Sequence, residues 1–225
     1  MNHPPKVPPP QLQVKRGQPL SSRFAAVVRW LHIYVSLLAF TSLVFFGITG
    51  ITLNHPTWFG VEAQTVTEHE GELPQDWLPP VAAARGDEPA DAEAGVDKLA
   101  IAEHLRATHS LRGAVSEFRV DEYECLVLFK GPGYSADVVA QRDSRKYRAT
   151  VTQMGIVAIM NDLHKGRDTG ASWSVVIDVV SILTVFLSIT GLILIFYLKR
   201  KRFSGIVTTV VGTVLLVAIA LWLIP

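Results

Sequence analysis

Three long apolar runs constrain the fold of this chain more than any other feature. Residues 30–53 contain no Asp, Glu, Lys or Arg, residues 173–198 contain only Asp178, and residues 203–225 contain none. A helix needs about 20 apolar residues to cross the hydrocarbon core of a bilayer. Three such runs in 225 residues are rare in a soluble protein. We therefore predict a membrane α-helical protein with three transmembrane helices, at residues 23–54, 173–198 and 203–225.

The charged residues are segregated along the chain. All 20 acidic residues lie between Glu62 and Asp178, and the segments outside carry only bases, including the run of four at 199–202. Short loops rich in Lys and Arg stay on the cytoplasmic side of a membrane. This pattern predicts a membrane protein with a cytoplasmic N-terminus and an external, periplasmic region at residues 55–172. The same asymmetry indicates membrane lipid, and no nucleic acid, as a partner.

Two polar segments have compositions that do not support a packed core. Residues 1–22 are basic and rich in proline, which is typical of a disordered cytoplasmic tail. Residues 79–95 are rich in Ala, Pro, Asp and Glu and read as a linker or loop. The folded part of the periplasmic region is therefore expected to follow that linker.

Residues 96–154 predict a small α+β domain. Asp97 can cap a helix at 97–109 whose buried face holds Leu99, Ala102 and Leu105. Four strand-like runs follow, and in the second of them Tyr123, Cys125, Val127 and Phe129 alternate onto one face. The predicted strands are Val115–Asp121, Tyr123–Lys130, Tyr134–Gln141 and Tyr147–Gln153. A further helical segment, 155–165, leads to the second membrane run.

The first two membrane runs share a ten-residue pattern. VFFGITGITL at 44–53 and VFLSITGLIL at 185–194 match as V-F-x-x-I-T-G-x-x-L, and a histidine precedes each, His32 and His164. Because the two helices run in opposite directions, the pattern suggests two related units in inverted orientation. Chance similarity combined with ordinary packing through small residues is the alternative.

Three histidines lie at the ends of the predicted spans. His32 and His55 stand 23 residues apart on one helix, about 35 Å at 1.5 Å per residue, so they cannot share one iron. His55 and His164 both fall on the predicted outer side and could approach each other as two axial ligands of one haem iron. His32 has no such partner nearby, unless a second copy in a homodimer supplies one. The alternative is that these histidines are interfacial polar residues bonded to backbone or lipid.

Two charged residues beside this pair could assist a cofactor. Asp178 lies inside the second span, where an ionisable side chain is a functional hypothesis, and it could accept the ring N–H of a ligating histidine. Arg167 could form a bidentate pair with a haem propionate. Contact with water for Asp178 and snorkelling for Arg167 are the alternatives.

Several other chemistries lack their motifs. The chain has no CxxCH, GxSxG, HExxH or P-loop pattern, and its single cysteine, Cys125, excludes an internal disulfide. TGAS at 169–172 is similar to part of a covalent flavin-attachment motif, but Gly166 replaces the usual acid. We therefore do not expect flavin on Ser172.

The pieces LNHP at 53–56, LHKGR at 163–167 and W-x-x-x-x-D at 173–178 resemble the PepSY-associated transmembrane proteins. The resemblance covers most of residues 28–200 and implies a PepSY-like domain outside the membrane. Larger relatives resemble ferric-siderophore reductases that hold b-type haems between transmembrane histidines. The resemblance thus favours a haem-b membrane oxidoreductase that passes electrons to a periplasmic flavoprotein or ferric siderophore, with His55, His164 and His32 as cofactor residues. The alternative is a non-catalytic, membrane-anchored module that binds or regulates a periplasmic enzyme.

Overall fold

The computed structural model describes residues 20–60, 63–79, 93–198 and 200–223. The predicted disordered tail, at 1–22, falls almost wholly outside these residues, and so does most of the predicted linker at 79–95. Within the described residues the chain forms two compact units. One comprises the residues up to Ala39 and from Leu183 onward, and the other comprises Phe40–Ile182.

Three helices in the described residues are long and apolar enough to cross a membrane. They are α1 (Leu20–Asn54), α4 (Ala171–Tyr197) and α5 (Arg202–Leu223). Their large apolar side chains are mostly exposed on the protein surface, and none of the apolar window of α5 is buried within the protein. Such a surface is stable only in hydrocarbon, where a helix satisfies all its own backbone groups. The predicted membrane class is therefore confirmed.

The unit from Phe40 to Ile182 contains a five-stranded antiparallel sheet in the order β1-β5-β4-β3-β2. Its strands are β1 (Gln64–Glu72), β2 (Ala114–Val120), β3 (Glu124–Gly131), β4 (Tyr134–Gln141) and β5 (Lys146–Met154). A two-residue turn joins β3 to β4, with Gly131 opposite Tyr134. Gly133 in that turn has φ +63°, a conformation that favours glycine.

One face of the sheet is covered by α2 (Lys98–His109). The Asp97 side chain caps this helix by accepting a hydrogen bond from the Ala100 N–H. The core shared by helix and sheet includes Ile101, Leu105, Cys125, Val127 and Phe129. Two predicted core residues are not part of it, because Leu99 is 72% exposed and Tyr123 is 80% exposed. Ile101 takes the place expected for Leu99 on the buried face of α2.

Strand β1 was not predicted, and it extends the sheet beyond the 96–154 segment. It pairs along its whole length with β5, from Gln64 opposite Met154 to Glu72 opposite Lys146. Most of its residues are exposed on both faces, so the strand lacks the alternation that identifies a half-buried strand. The sheet therefore combines strands on both sides of the predicted linker.

Candidate functional site

The site begins at α3 (Ile156–Lys165), the short helix that precedes α4. Gly166 ends it with φ +66°, and the Arg167 N–H bonds the carbonyl of Asp162 at 3.0 Å. The Asp162 carboxylate accepts a bond from the Gly133 N–H of the β3–β4 turn at 2.9 Å. These contacts fix α3 against the sheet, with His164 in its last turn.

The His164 imidazole lies against the C-terminal half of α1. Its Nδ1 is 2.5 Å from the Thr49 hydroxyl, a side chain with no exposed surface. Its ring also packs edge-on against Phe46, with centroids 4.9 Å apart, and a Cβ placed on Gly50 would lie 3.9 Å from its Cε1. Burial first, and the Lys165 charge second, lowers the pKa of His164. Both effects favour the neutral imidazole, which is the form that binds a metal.

A second polar contact joins α1 to α3 three residues further along. The Thr52 hydroxyl donates to the Asn161 side-chain oxygen at 2.5 Å, and both residues are buried. Two buried side-chain contacts, through Thr49 and Thr52, thus hold α3 on α1. These two contacts fix the position of His164 relative to α1.

His32 has a matching environment within the other unit. Its Nδ1 is 2.8 Å from the Thr190 hydroxyl, and Thr190 is only 4% exposed. A Cβ placed on Gly191 would lie 3.3 Å from the His32 Cε1. Each histidine is therefore held by the Thr-Gly pair of a helix to which it does not belong.

These two environments explain the repeated sequence pattern. Thr49 and Thr190 occupy the same position of V-F-x-x-I-T-G-x-x-L, as do Gly50 and Gly191. The histidines that contact them precede the other copy of the pattern. The structure thus gives the repeat a common role, and we call each Thr-Gly pair with its histidine a histidine seat: Thr49, Gly50 and His164, and Thr190, Gly191 and His32.

His55 has a different environment from the seat histidines. It follows the last residue of α1, and its ring stacks on Trp58 with centroids 3.8 Å apart and an 8° interplanar angle. The closest ring and hydrogen-bond neighbours of His164 are Phe46 and Thr49 instead. Ligation of one iron by His55 and His164 stays a prediction.

Asp178 and Arg167 are both exposed. In the described part of the chain neither forms an ion pair or a side-chain hydrogen bond with a histidine. Arg167 lines a cleft of about 420 Å³, together with Lys130 and Lys165. The remaining lining includes Asp162, Asp168 and the end of α1. This cleft offers cationic groups to an anionic ligand, and the predicted roles of Asp178 and Arg167 stay predictions.

A separate histidine cluster lies in the sheet unit. The rings of His69 on β1 and His109 on α2 stack with centroids 4.8 Å apart, and His109 Nε2 is 2.8 Å from the Tyr147 hydroxyl. Burial, followed by His69 and His104, lowers the pKa of His109. Burial also raises the pKa of Tyr147. In the described residues no group of three or more His, Cys, Asp or Glu side chains could hold a metal ion.

Sequence reasoning missed the residues that hold the histidines. Thr49 and Thr190 were part of the noted repeat, but nothing in the pattern indicated that they contact His164 and His32. The signal that could have identified these two threonines is the presence of a polar side chain at the same position of two apolar helices. A threonine at matched places in two apolar helices has a hydroxyl that needs a partner.

Comparison with known proteins places the chain in a family. No curated protein and no solved structure matches it significantly. A family model described as PepSY_TM-like matches residues 26–225. This match covers most of α1, all five strands of the sheet, and the described residues of α4 and α5. The chain therefore belongs to the PepSY_TM-like family.

Proposed function

We propose that the protein is a haem-b-binding redox protein of the bacterial inner membrane, with a cytoplasmic N-terminus and a periplasmic sheet unit. The observation that carries this proposal is the pair of histidine seats. His164 and His32 are each half-buried and bonded through Nδ1, so Nε2 of each ring is the nitrogen left for a ligand. Metal-binding histidines characteristically use their other ring nitrogen in this way.

The side chains fit haem better than a metal ion held by protein ligands alone. Haem b takes one or two axial ligands from its protein, and histidine is a common one. A structural or catalytic zinc site takes three or four, a set that the described residues do not offer. The lowered pKa of His164 keeps its imidazole neutral and able to bind iron.

The residues have distinct roles in this proposal. His164 and His55 would hold an outer haem, His164 from the last turn of α3 and His55 from the position that follows α1. Arg167 and Lys165 would pair with the haem propionates, Asp178 would support a ligand histidine, and His32 would hold an inner haem. The chemistry that haem b supplies is one-electron transfer between ferric and ferrous states. The acceptor is a periplasmic flavoprotein or a ferric siderophore.

An absorbance spectrum of the full chain tests the proposal. We expect protein purified from haem-supplemented cells to show a Soret band and split α and β bands on reduction. His164→Ala and His55→Ala should each lose the contribution of the outer haem to these bands. The matched control is His104→Ala, which removes a histidine packed against Trp77 in the sheet unit and should retain them. A colourless wild-type protein contradicts the proposal.

The sheet unit favours a second candidate function, a membrane-anchored module that binds a periplasmic protein. The sheet face opposite α2 forms an open trough lined with charged residues, among them Glu70, Asp137, Lys146 and Arg148. Among the described residues, the first and last strands of the sheet, β1 and β2, each pair with one neighbour only, and a free strand edge can add a partner strand. Under this function the protein is colourless, and Arg148→Glu weakens partner binding without changing the membrane helices.

A further inference from the structure

The two seats share a hydrogen-bond arrangement that determines the state of each histidine. Each threonine hydroxyl lies close to the carbonyl four residues earlier in its own helix. Thr49 Oγ1 is 2.7 Å from the Phe45 oxygen, and Thr190 Oγ1 is 2.9 Å from the Phe186 oxygen. Such bonds are usual for threonine within helices.

The threonine has only one hydrogen to donate. Two oxygens 2.7–2.9 Å apart attract each other only if a hydrogen lies between them. The peptide carbonyl has none, so the threonine hydrogen lies on that side. The hydroxyl then has only lone pairs for the imidazole, and Nδ1 must carry the hydrogen of the bond between them.

We propose that the repeated I-T-G pattern is a device that sets the tautomer of a histidine. Thr49 and Thr190 hold His164 and His32 in the form protonated on Nδ1, so the basic lone pair is on Nε2 in both seats. The threonines are positioning residues, because they act on a ligand through its imidazole. The statement about tautomers stands independently, whereas the use of Nε2 as a haem ligand rests on the proposed function.

The glycines allow the rings to approach, and the two seats differ in how closely they do so. A Cβ on Gly191 would lie 3.3 Å from His32 Cε1, which is tighter than ordinary contact, so the ring would have to shift. A Cβ on Gly50 would lie 3.9 Å from His164 Cε1, an ordinary van der Waals distance. Gly191→Ala should therefore disturb its seat, and Gly50→Ala should leave its seat intact.

The first test uses the haem-free full chain, labelled with ¹⁵N-histidine, in detergent micelles. Long-range ¹H–¹⁵N spectra distinguish the two tautomers of a neutral imidazole. We expect His164 and His32 to be protonated on Nδ1. In Thr49→Val, His164 should gain the Nε2–H form while His32 is unchanged, and Thr190→Val should have the converse effect. Thr49→Ser, which keeps the hydroxyl, should preserve the wild-type spectrum.

A matched control separates the seat from general effects on a helix. Thr208 on α5 makes the same bond to a carbonyl four residues earlier, at 2.9 Å, and contacts no histidine among the described residues. Thr208→Val should change neither imidazole. Wild-type histidines protonated on Nε2 would overturn the proposal, even if a valine variant failed to fold. So would valine variants that keep the wild-type tautomer.

The second test uses the haem-supplemented full chain. A hydrogen bond from Nδ1–H raises the basicity of a ligand histidine and favours ferric iron. Thr49→Val should therefore shift the midpoint potential of the outer haem to more positive values, whereas Thr49→Ser and Thr208→Val should not. An unchanged potential overturns the positioning role. If the protein binds no haem but His164 and His32 are protonated on Nδ1, the proposed function is wrong and the proposal that the threonines set the histidine tautomers still holds.

Discussion

The histidine seats and the histidine cluster on the sheet use their ring nitrogens in opposite ways. In the seats, His164 and His32 bond through Nδ1 to a buried threonine hydroxyl, and Nε2 stays available. In the histidine cluster on the sheet, His109 uses Nε2 for the Tyr147 hydroxyl and packs its ring on His69. The difference shows that the number of histidines in a region says little about ligand binding. What matters is which ring nitrogen of each histidine makes no hydrogen bond within the protein.

The largest expected effect in the sheet unit comes from its core. Phe129 is fully buried between α2 and the sheet, and Phe129→Ala should lower the free energy of unfolding of this unit by about 3–5 kcal/mol. Hydrogen exchange in β3, β4 and β5 measures the loss. Hydrogen exchange in the N-terminal half of α1, around His32, should stay at the wild-type rate. Equal acceleration in both regions would contradict the division of the chain into two compact units.

A smaller effect is expected where β1 meets Tyr147. A Cβ on Gly71 would overlap the Tyr147 ring and hydroxyl, and Tyr147 is only 3% exposed. Gly71→Ala should therefore destabilise the sheet unit by about 1–3 kcal/mol through overpacking. The stability against urea, followed by hydrogen exchange, measures this. Gly47→Ala is the control, because a Cβ there meets nothing within 4 Å. Equal losses from both substitutions would contradict the packing of Tyr147 over β1.

The smallest effect is a pH dependence. The pKa of His109 is lowered by burial and by its neighbours His69 and His104, so the unfolded chain takes up a proton at higher pH than the folded one. Stability should therefore fall as pH drops below about 6.5, the ordinary imidazole value, and level off below the lowered pKa. His109→Gln, which can still bond Tyr147, should flatten this dependence. The pKa of His164 is also lowered, and this histidine contributes to the pH dependence with the same sign.

The sequence predicts elements that have a strong periodicity and misses contacts that depend on tertiary structure. The three apolar runs and the strand Tyr134–Gln141 were predicted from composition and alternation. Strand β1 was missed because it is polar on both faces and gains its place only by pairing with β5. Leu99 was assigned to the core because helical spacing alone does not distinguish its side of α2 from that of Ile101.

The candidate site shows the same limit. The repeat drew attention to Thr49 and Thr190, but His164 stands 115 residues from Thr49 and His32 stands 158 residues from Thr190. No local pattern reports contacts over such separations. The predicted pairing of His55 with His164 used only the expected side of the membrane. The structure adds that His55 stacks on Trp58, while a threonine orients His164.

Paired absorbance spectra of two single-histidine variants of the full chain test the central claim most directly. His164→Ala removes a seat histidine, and His109→Ala removes a histidine of the sheet unit. The account predicts that haem-supplemented wild-type protein and His109→Ala show the same Soret band and that His164→Ala loses the outer-haem contribution. Equal spectra for all three proteins, or a wild-type protein without a Soret band, would contradict the claim that the His164 seat presents a haem ligand.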